Sequence, residues 1–149
     1  MSYTYRMTEE QTNSSRTTAD IEAMLRKNGI YPTAQRLAIA NVLFSENQHV
    51  TAEQLHETLY KSGNRISIAT IYNTLGLFVK KSLLREIFID GGKTFFDSNN
   101  SHHHHCYNID TGNLVDLSDQ LVPHINMDVL PLGTAVETID IIVRVRNSN

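Results

Sequence analysis

A chain of 149 residues with 40% hydrophobic content suits one domain or two small ones and can support a core. It has no run of about 18 apolar residues that could cross a membrane, its polar start from Met1 to Thr18 lacks a secretory signal, and its single Cys106 excludes an intramolecular disulfide and a Cys-x-x-Cys zinc site, so a cytoplasmic protein is expected. The net charge of −3 argues against bulk nucleic-acid binding, but residues 1–97 hold 11 Lys+Arg and 10 Asp+Glu (+1) while residues 98–149 hold 2 and 6 (−4), so any such contact belongs to the first part and relies on local placement.

Residues 1–16, rich in Ser, Thr, Asn and Gln, read as a loose arm. A first helix is expected from Thr18 to Asn28, with Asp20 and Glu22 in its first turn, Arg26 and Lys27 in its last, and Gly29 as a stop. Pro32-Thr33 opens a second helix over about 33–45, where Leu37, Ala40 and Phe44 recur on one face. After a loop at 45–48, Thr51-Ala52-Glu53-Gln54 is a capping box in which Thr51 caps the start and Gln54 reaches back. That third helix runs to about Ser62, with Leu55 and Leu59 inward, and Gly63 ends it.

Ser67 caps a fourth helix over about 67–81. Ile68, Ile71, Leu75 and Phe78 fall within one arc at ~100° per residue. Ser67, Thr70, Asn73 and Lys80 lie outside that arc and Tyr72 at its flank. Such a helix is either simply solvated or a major-groove reader. Next, within Arg85–Phe96, two β-prone runs flank Asp90-Gly91-Gly92, a hairpin signal. Several short helices followed by a hairpin match the winged helix-turn-helix plan and favour the DNA-reading alternative.

His102-His103-His104-His105 follows, four of the seven histidines in a row. An expression tag, a metal-scavenging tract and an idle loop are the alternatives to a site. As a strand, the run sends His103 and His105 to one face and His102 and His104 to the other. Each face then offers two imidazoles to one metal ion. Asp110-Thr111-Gly112-Asn113 is a second hairpin turn into Leu114–Leu117. Residues 118–133 have no clean period, and Thr138–Arg146 alternates as a half-buried strand, with Ile139, Ile141, Val143 and Val145 on one face. Three short strands with one apolar face bury little, so pairing with a second copy is expected.

The motifs Gly29-x-x-x-Thr33-x-x-Arg36, His49-Val50-Thr51-Ala52-Glu53-x-Leu55, Ser67-x-Ala69-Thr70-Ile71-Tyr72-x-x-Leu75, Gly91-Gly92-Lys93, Phe96-Asp97 and His103-x-His105 stand in order along the chain. Together they resemble the ferric uptake regulator superfamily of bacterial metal-dependent transcription factors, from about Gly29 to Asp116 and more loosely to Arg146. The resemblance implies an α+β protein in three parts. These are a flexible arm (1–16), a winged helix-turn-helix DNA-binding domain (17–97), and a small α/β domain for dimerisation and metal sensing (98–149).

The resemblance also implies a regulatory metal site at His49, Asp97, His103 and His105, with Asp116 matching a further carboxylate of the peroxide-sensing branch. This donor set has no thiolate and suits Fe²⁺, Mn²⁺ or Zn²⁺. A second metal or haem site is implied at His102 and His104, with His124 a weaker match. Asn108 and Thr111 stand where many members carry a Cys-x-x-Cys pair, so the four-cysteine structural zinc is expected to be missing. Tyr31 replaces an often basic residue and Asn73 a common arginine, which removes phosphate-neutralising charge.

The His-rich strand, the missing cysteines and the ending Ile139-Asp-Ile-Ile-Val-Arg-Val145 look most like the iron-response regulator branch. That branch implies repression of iron and haem genes. Without a Cys-Pro motif, any haem would rely on histidine. The implied partners are a second copy of the chain and double-stranded DNA, as an A/T-rich palindrome read by Arg36, Ser67, Thr70, Tyr72 and Asn73. Tyr72 would meet thymine methyls and Asn73 adenine. A peroxide-sensing regulator using iron or manganese at the same site is the alternative. A metalloenzyme lacks a general-base motif or nucleophile elbow here, and a metal buffer would need neither a capped reading helix nor a wing.

Overall fold

The structure is a computed structural model that describes residues 15–121, 126 and 129–148. The arm's residues 1–14 and His124 lie outside the described residues. The chain divides into two compact units at Asn100 and Ser101.

The first unit begins with four helices, α1 (Thr18–Lys27), α2 (Ala34–Phe44), α3 (Ala52–Lys61) and α4 (Ile68–Lys80). Each starts at a Ser or Thr whose side-chain oxygen accepts a backbone N–H three residues on: Thr17, Thr33, Thr51 and Ser67. At Thr17 and Thr51 the reciprocal bond is also made, through Asp20 and Gln54. Each such cap stabilises its helix by about 1 kcal/mol. The expected helix bounds hold to within one or two residues.

The helices bury Ile21, Leu25, Ile39, Leu43, Phe44, Leu55, Leu59, Ile71, Leu75 and Phe78 in one cluster. Phe44 and Phe78 meet with ring centroids 5.6 Å apart, a tilted arrangement that adds to area burial. Two expected core positions shift. Leu37 is only partly buried while Ile39 and Leu43 are fully enclosed. Ile68 is 39% exposed and Thr74 takes its place in the core. Ile68 is the first residue of α4, so no preceding helical turn covers it.

Strands β2 (Arg85–Ile89) and β3 (Lys93–Asp97) form the expected hairpin around Gly91 and Gly92. Both glycines have positive φ, +86° and +80°, a backbone form that residues with a Cβ rarely adopt. A third strand, β1 (His49–Val50), joins the other side of β3, giving the order β1-β3-β2. It pairs His49 with Asp97 and Val50 with Phe96.

The second unit is built on a three-stranded sheet of order β5-β4-β6, from β4 (His104–Asn108), β5 (Leu114–Leu117) and β6 (Ile142–Val145). β5 runs antiparallel to β4 and β6 parallel to it. A 3₁₀ turn at Asp119–Leu121 follows β5. The expected strand over Thr138–Arg146 is shorter than its alternation suggested. Among the described residues β6 pairs with β4 alone, and β4 starts at His104, so the ladder ends there; at that end the His105 N–H donates to Ile141 O at 3.0 Å. Of the apolar face expected on this strand, Ile139, Ile141 and Val145 are half-buried by the described residues, while Val143 is 36% exposed.

Candidate functional site

Four of the five expected metal ligands sit where strand register fixes them, and His103 directly precedes β4. In the first unit, antiparallel register sets His49 opposite Asp97, and His49 Nε2 lies 3.3 Å from Asp97 Oδ2. Asp97 is fully buried. Its Oδ1 accepts the Asn99 N–H at 2.8 Å. A buried carboxylate is costly unless paired with a proton donor or a cation.

In the second unit, β4 register sets His105 opposite Asp116. The His103 and His105 rings lie 4.6 Å apart and the His102 and His104 rings 5.1 Å apart, so the alternation of the run is as a strand requires. One ligand atom each of His103, His105 and Asp116 lies within 4.8 Å of the others. His103 Nδ1 is 2.7 Å from the Ser101 carbonyl and its Nε2 is 3.1 Å from Asp116 Oδ1. The carbonyl can only accept, so Nδ1 carries the hydrogen. In a neutral ring Nε2 then turns a lone pair on a carboxylate oxygen, and only a proton or a metal cation reconciles the two. The donor chemistry therefore fits a divalent ion in both units: imidazole nitrogen and carboxylate oxygen, with no sulfur.

His102 is exposed and His104 buried. His104 Nδ1 accepts the Ile141 N–H at 3.3 Å, which ties it to the chain entering β6. With a single Cys106, the chain has too few cysteines for a four-cysteine zinc.

The expected DNA-reading residues divide between two grooves of the first unit. Arg36, Thr70 and Asn73 line one of about 440 Å³ between the start of α2 and α4, together with Thr33 and Gln35. There Arg36 Nη1 donates to the Tyr31 carbonyl at 3.1 Å, and the Ser67 hydroxyl donates to Thr70 Oγ1 at 3.0 Å. Tyr72 lies in a second groove of about 330 Å³, with Thr51, Glu53, Gly92 and Lys93. Its hydroxyl donates to Glu53 Oε1 at 2.7 Å. That bond holds the Glu53 carboxyl below the usual glutamate range, helped by its own backbone N–H at the start of α3, and raises the Tyr72 phenol above its ordinary value. Glu53 and Lys93 were not among the expected site residues. Neither offers a local signal, since Glu53 meets Tyr72 across 19 residues of chain.

Comparison with known proteins places this fold and these clusters in context. The model of the ferric uptake regulator family matches residues 27–144. A peroxide-responsive repressor, PerR, of Staphylococcus epidermidis is 34% identical over 110 residues, covering 69% of this chain and 73% of that protein. The ferric uptake regulation protein of Vibrio anguillarum is 33% identical over 106 residues, covering 70% and 71%. Among solved structures, the ferric uptake regulator of Pseudomonas aeruginosa with manganese superposes with a TM-score of 0.65 at 25% identity, covering 87% of this chain and 98% of that one. The chain belongs to the ferric uptake regulator family.

Proposed function

We propose that this chain is a metal-dependent transcriptional regulator, mainly a repressor, of iron and haem homeostasis genes, acting in the cytoplasm as a dimer on A/T-rich palindromic DNA. The observation that carries the reading is the pairing, in one chain, of a capped reading helix and wing with sulfur-free histidine–carboxylate clusters. The relatives named for repression and iron regulation support it.

In this reading α4 enters a major groove, with Thr70, Tyr72 and Asn73 towards the bases and Arg36 and Ser67 beside them. His49, Asp97, His103, His105 and Asp116 would hold one divalent ion, Fe²⁺, Mn²⁺ or Zn²⁺, which would supply a crosslink between the two units. The residues then have separate tasks. Ser101 fixes the His103 tautomer so that Nε2 is the donor. Asp97 offers a buried carboxyl oxygen opposite His49. Metal favours whichever DNA-binding state it binds better, and no other.

The test is a titration of an A/T-rich palindromic duplex with and without each metal. The wild type should change affinity on metal addition by at least about fivefold, the low end of ordinary allosteric coupling. His103→Ala combined with His105→Ala should abolish that response and leave the dimer intact in sedimentation. An unchanged metal response in the double variant counts against the reading; metal uptake with no DNA binding indicates a metal buffer.

One observation favours a second reading. Asp116 stands beside the His103/His105 pair, the position matching the peroxide-sensing branch, and the Staphylococcus relative is named for peroxide response. With iron at that site, hydrogen peroxide would give one oxygen atom to a ligand imidazole and leave as water. Mass spectrometry for a single added oxygen separates the two.

A further inference from the structure

Tyr72 is 48% exposed on the reading helix, yet its hydroxyl is already committed to Glu53. α4 carries no charged residue before Lys80, and its cap Ser67 and exposed positions Ile68, Ala69, Tyr72, Asn73 and Gly76 are all neutral. The carboxylate of Glu53 is therefore a negative charge held directly against a reading side chain, Tyr72. The Tyr72 hydroxyl holds it there at 2.7 Å. Lys93 of the wing lines the same groove.

A negative charge is an odd occupant of a DNA-reading groove. Every duplex, whatever its sequence, presents phosphates that repel it. Its presence needs a benefit that depends on sequence. The tether supplies one. It pins a phenol ring that would otherwise sample several rotamers, so that the ring presents one apolar edge, and an apolar edge distinguishes thymine by its methyl group.

We propose that Glu53 is a specificity-determining positioning residue for DNA reading: it orients the Tyr72 ring and, through its charge, repels duplexes that the ring does not fit. The inference rests on the DNA-binding reading above. Discrimination between two ligands is a difference of affinities, and a repulsive element widens it when the correct ligand alone offers a compensating contact.

Two variants separate the two roles. Glu53→Gln keeps an oxygen that can accept the Tyr72 hydroxyl but removes the charge. Tyr72→Phe keeps the ring and the charge but cuts the tether. Each is measured as full-length, metal-loaded protein against two probes over a range of salt: a random-sequence duplex, and a duplex selected by the wild type from a randomised pool. Melting temperature checks folding.

Glu53→Gln should tighten binding to the random duplex by about three- to tenfold at low salt, a gain that fades as salt screens the charge. Its binding to the selected duplex should tighten less, so the ratio of the two affinities falls. Tyr72→Phe should weaken the selected duplex by about fivefold or more, the scale of a lost base-reading contact, with the random duplex unchanged. A purely structural bond would shift melting and move both affinities together. If both variants keep the wild-type ratio, the proposal is overturned while the regulatory reading stands. If the wild type selects no duplex at all, both fail.

Discussion

Glu53 and Tyr72 move each other's titration in opposite directions, as one hydrogen bond between a phenol and a carboxylate requires. The depressed carboxyl contributes its stabilisation above the ordinary glutamate range and loses it as pH falls through the lowered value. The raised phenol contributes below the ordinary tyrosine range and loses it as pH rises through the raised value. The tie between α3 and α4 is thus complete across the whole neutral range and fails at both extremes. In a titration of phenolate absorbance, one phenol should ionise above the ordinary range in the wild type and return to that range in Glu53→Ala. A wild-type curve already free of any late phenol would remove the tether. This bond was invisible in the sequence because neither partner stands at helical or strand spacing from the other. The metal candidates differ. His49, Asp97, His103, His105 and Asp116 are candidates in the sequence because a whole ordered set of motifs carries them. The pairings of His49 with Asp97 and His105 with Asp116 come from strand register, which no single stretch displays.

Elements with their own start signals were the most legible. The four helices carry Ser or Thr caps at their first turns, and the β2–β3 hairpin carries Gly91 and Gly92 at positive φ. β1 has no signature in the sequence because two residues cannot show a period; it exists only through its partner β3. β6 is shorter than its pattern because alternation persists in the sequence past the point where β4 can pair. The same sheet yields a consequence for assembly. Cys106 is opposite both Val115 and Val143, so the three form one row across a single face. Val115 is 54% exposed and Val143 36%. Strands of four or five residues bury too little to stand alone, and a row of this kind is what a second copy would cover. Val115→Lys combined with Val143→Lys should raise the dimer dissociation constant by at least about tenfold in sedimentation, since a buried unpaired charge on each copy costs several kcal/mol. Unchanged self-association would locate the dimer contact on another surface.

For the whole molecule, the decisive question is whether one ion takes donors from both units or each unit titrates by itself. The second unit has an imidazole–imidazole–carboxylate set of its own in His103, His105 and Asp116, and the first has His49 with Asp97. The two sets together number five nitrogen and oxygen donors, and the proposed reading would have one ion of iron, manganese or zinc take them from both. An ion that binds only the native state stabilises it by about 2.7 kcal/mol at a hundredfold excess over its dissociation constant. Shared donors impose that stabilisation on both units at once. Hydrogen exchange should therefore slow on metal addition around Asp97 in β3 and around His105 in β4 together. His49→Ala, a change confined to the first unit, should erase the protection around His105 as well as that around Asp97. If His49→Ala leaves metal protection of the β4 amides intact, the ion belongs to the second unit alone. The winged helix would then need some other route to sense it, and the switch proposed for this chain would have to be abandoned even if DNA binding persisted.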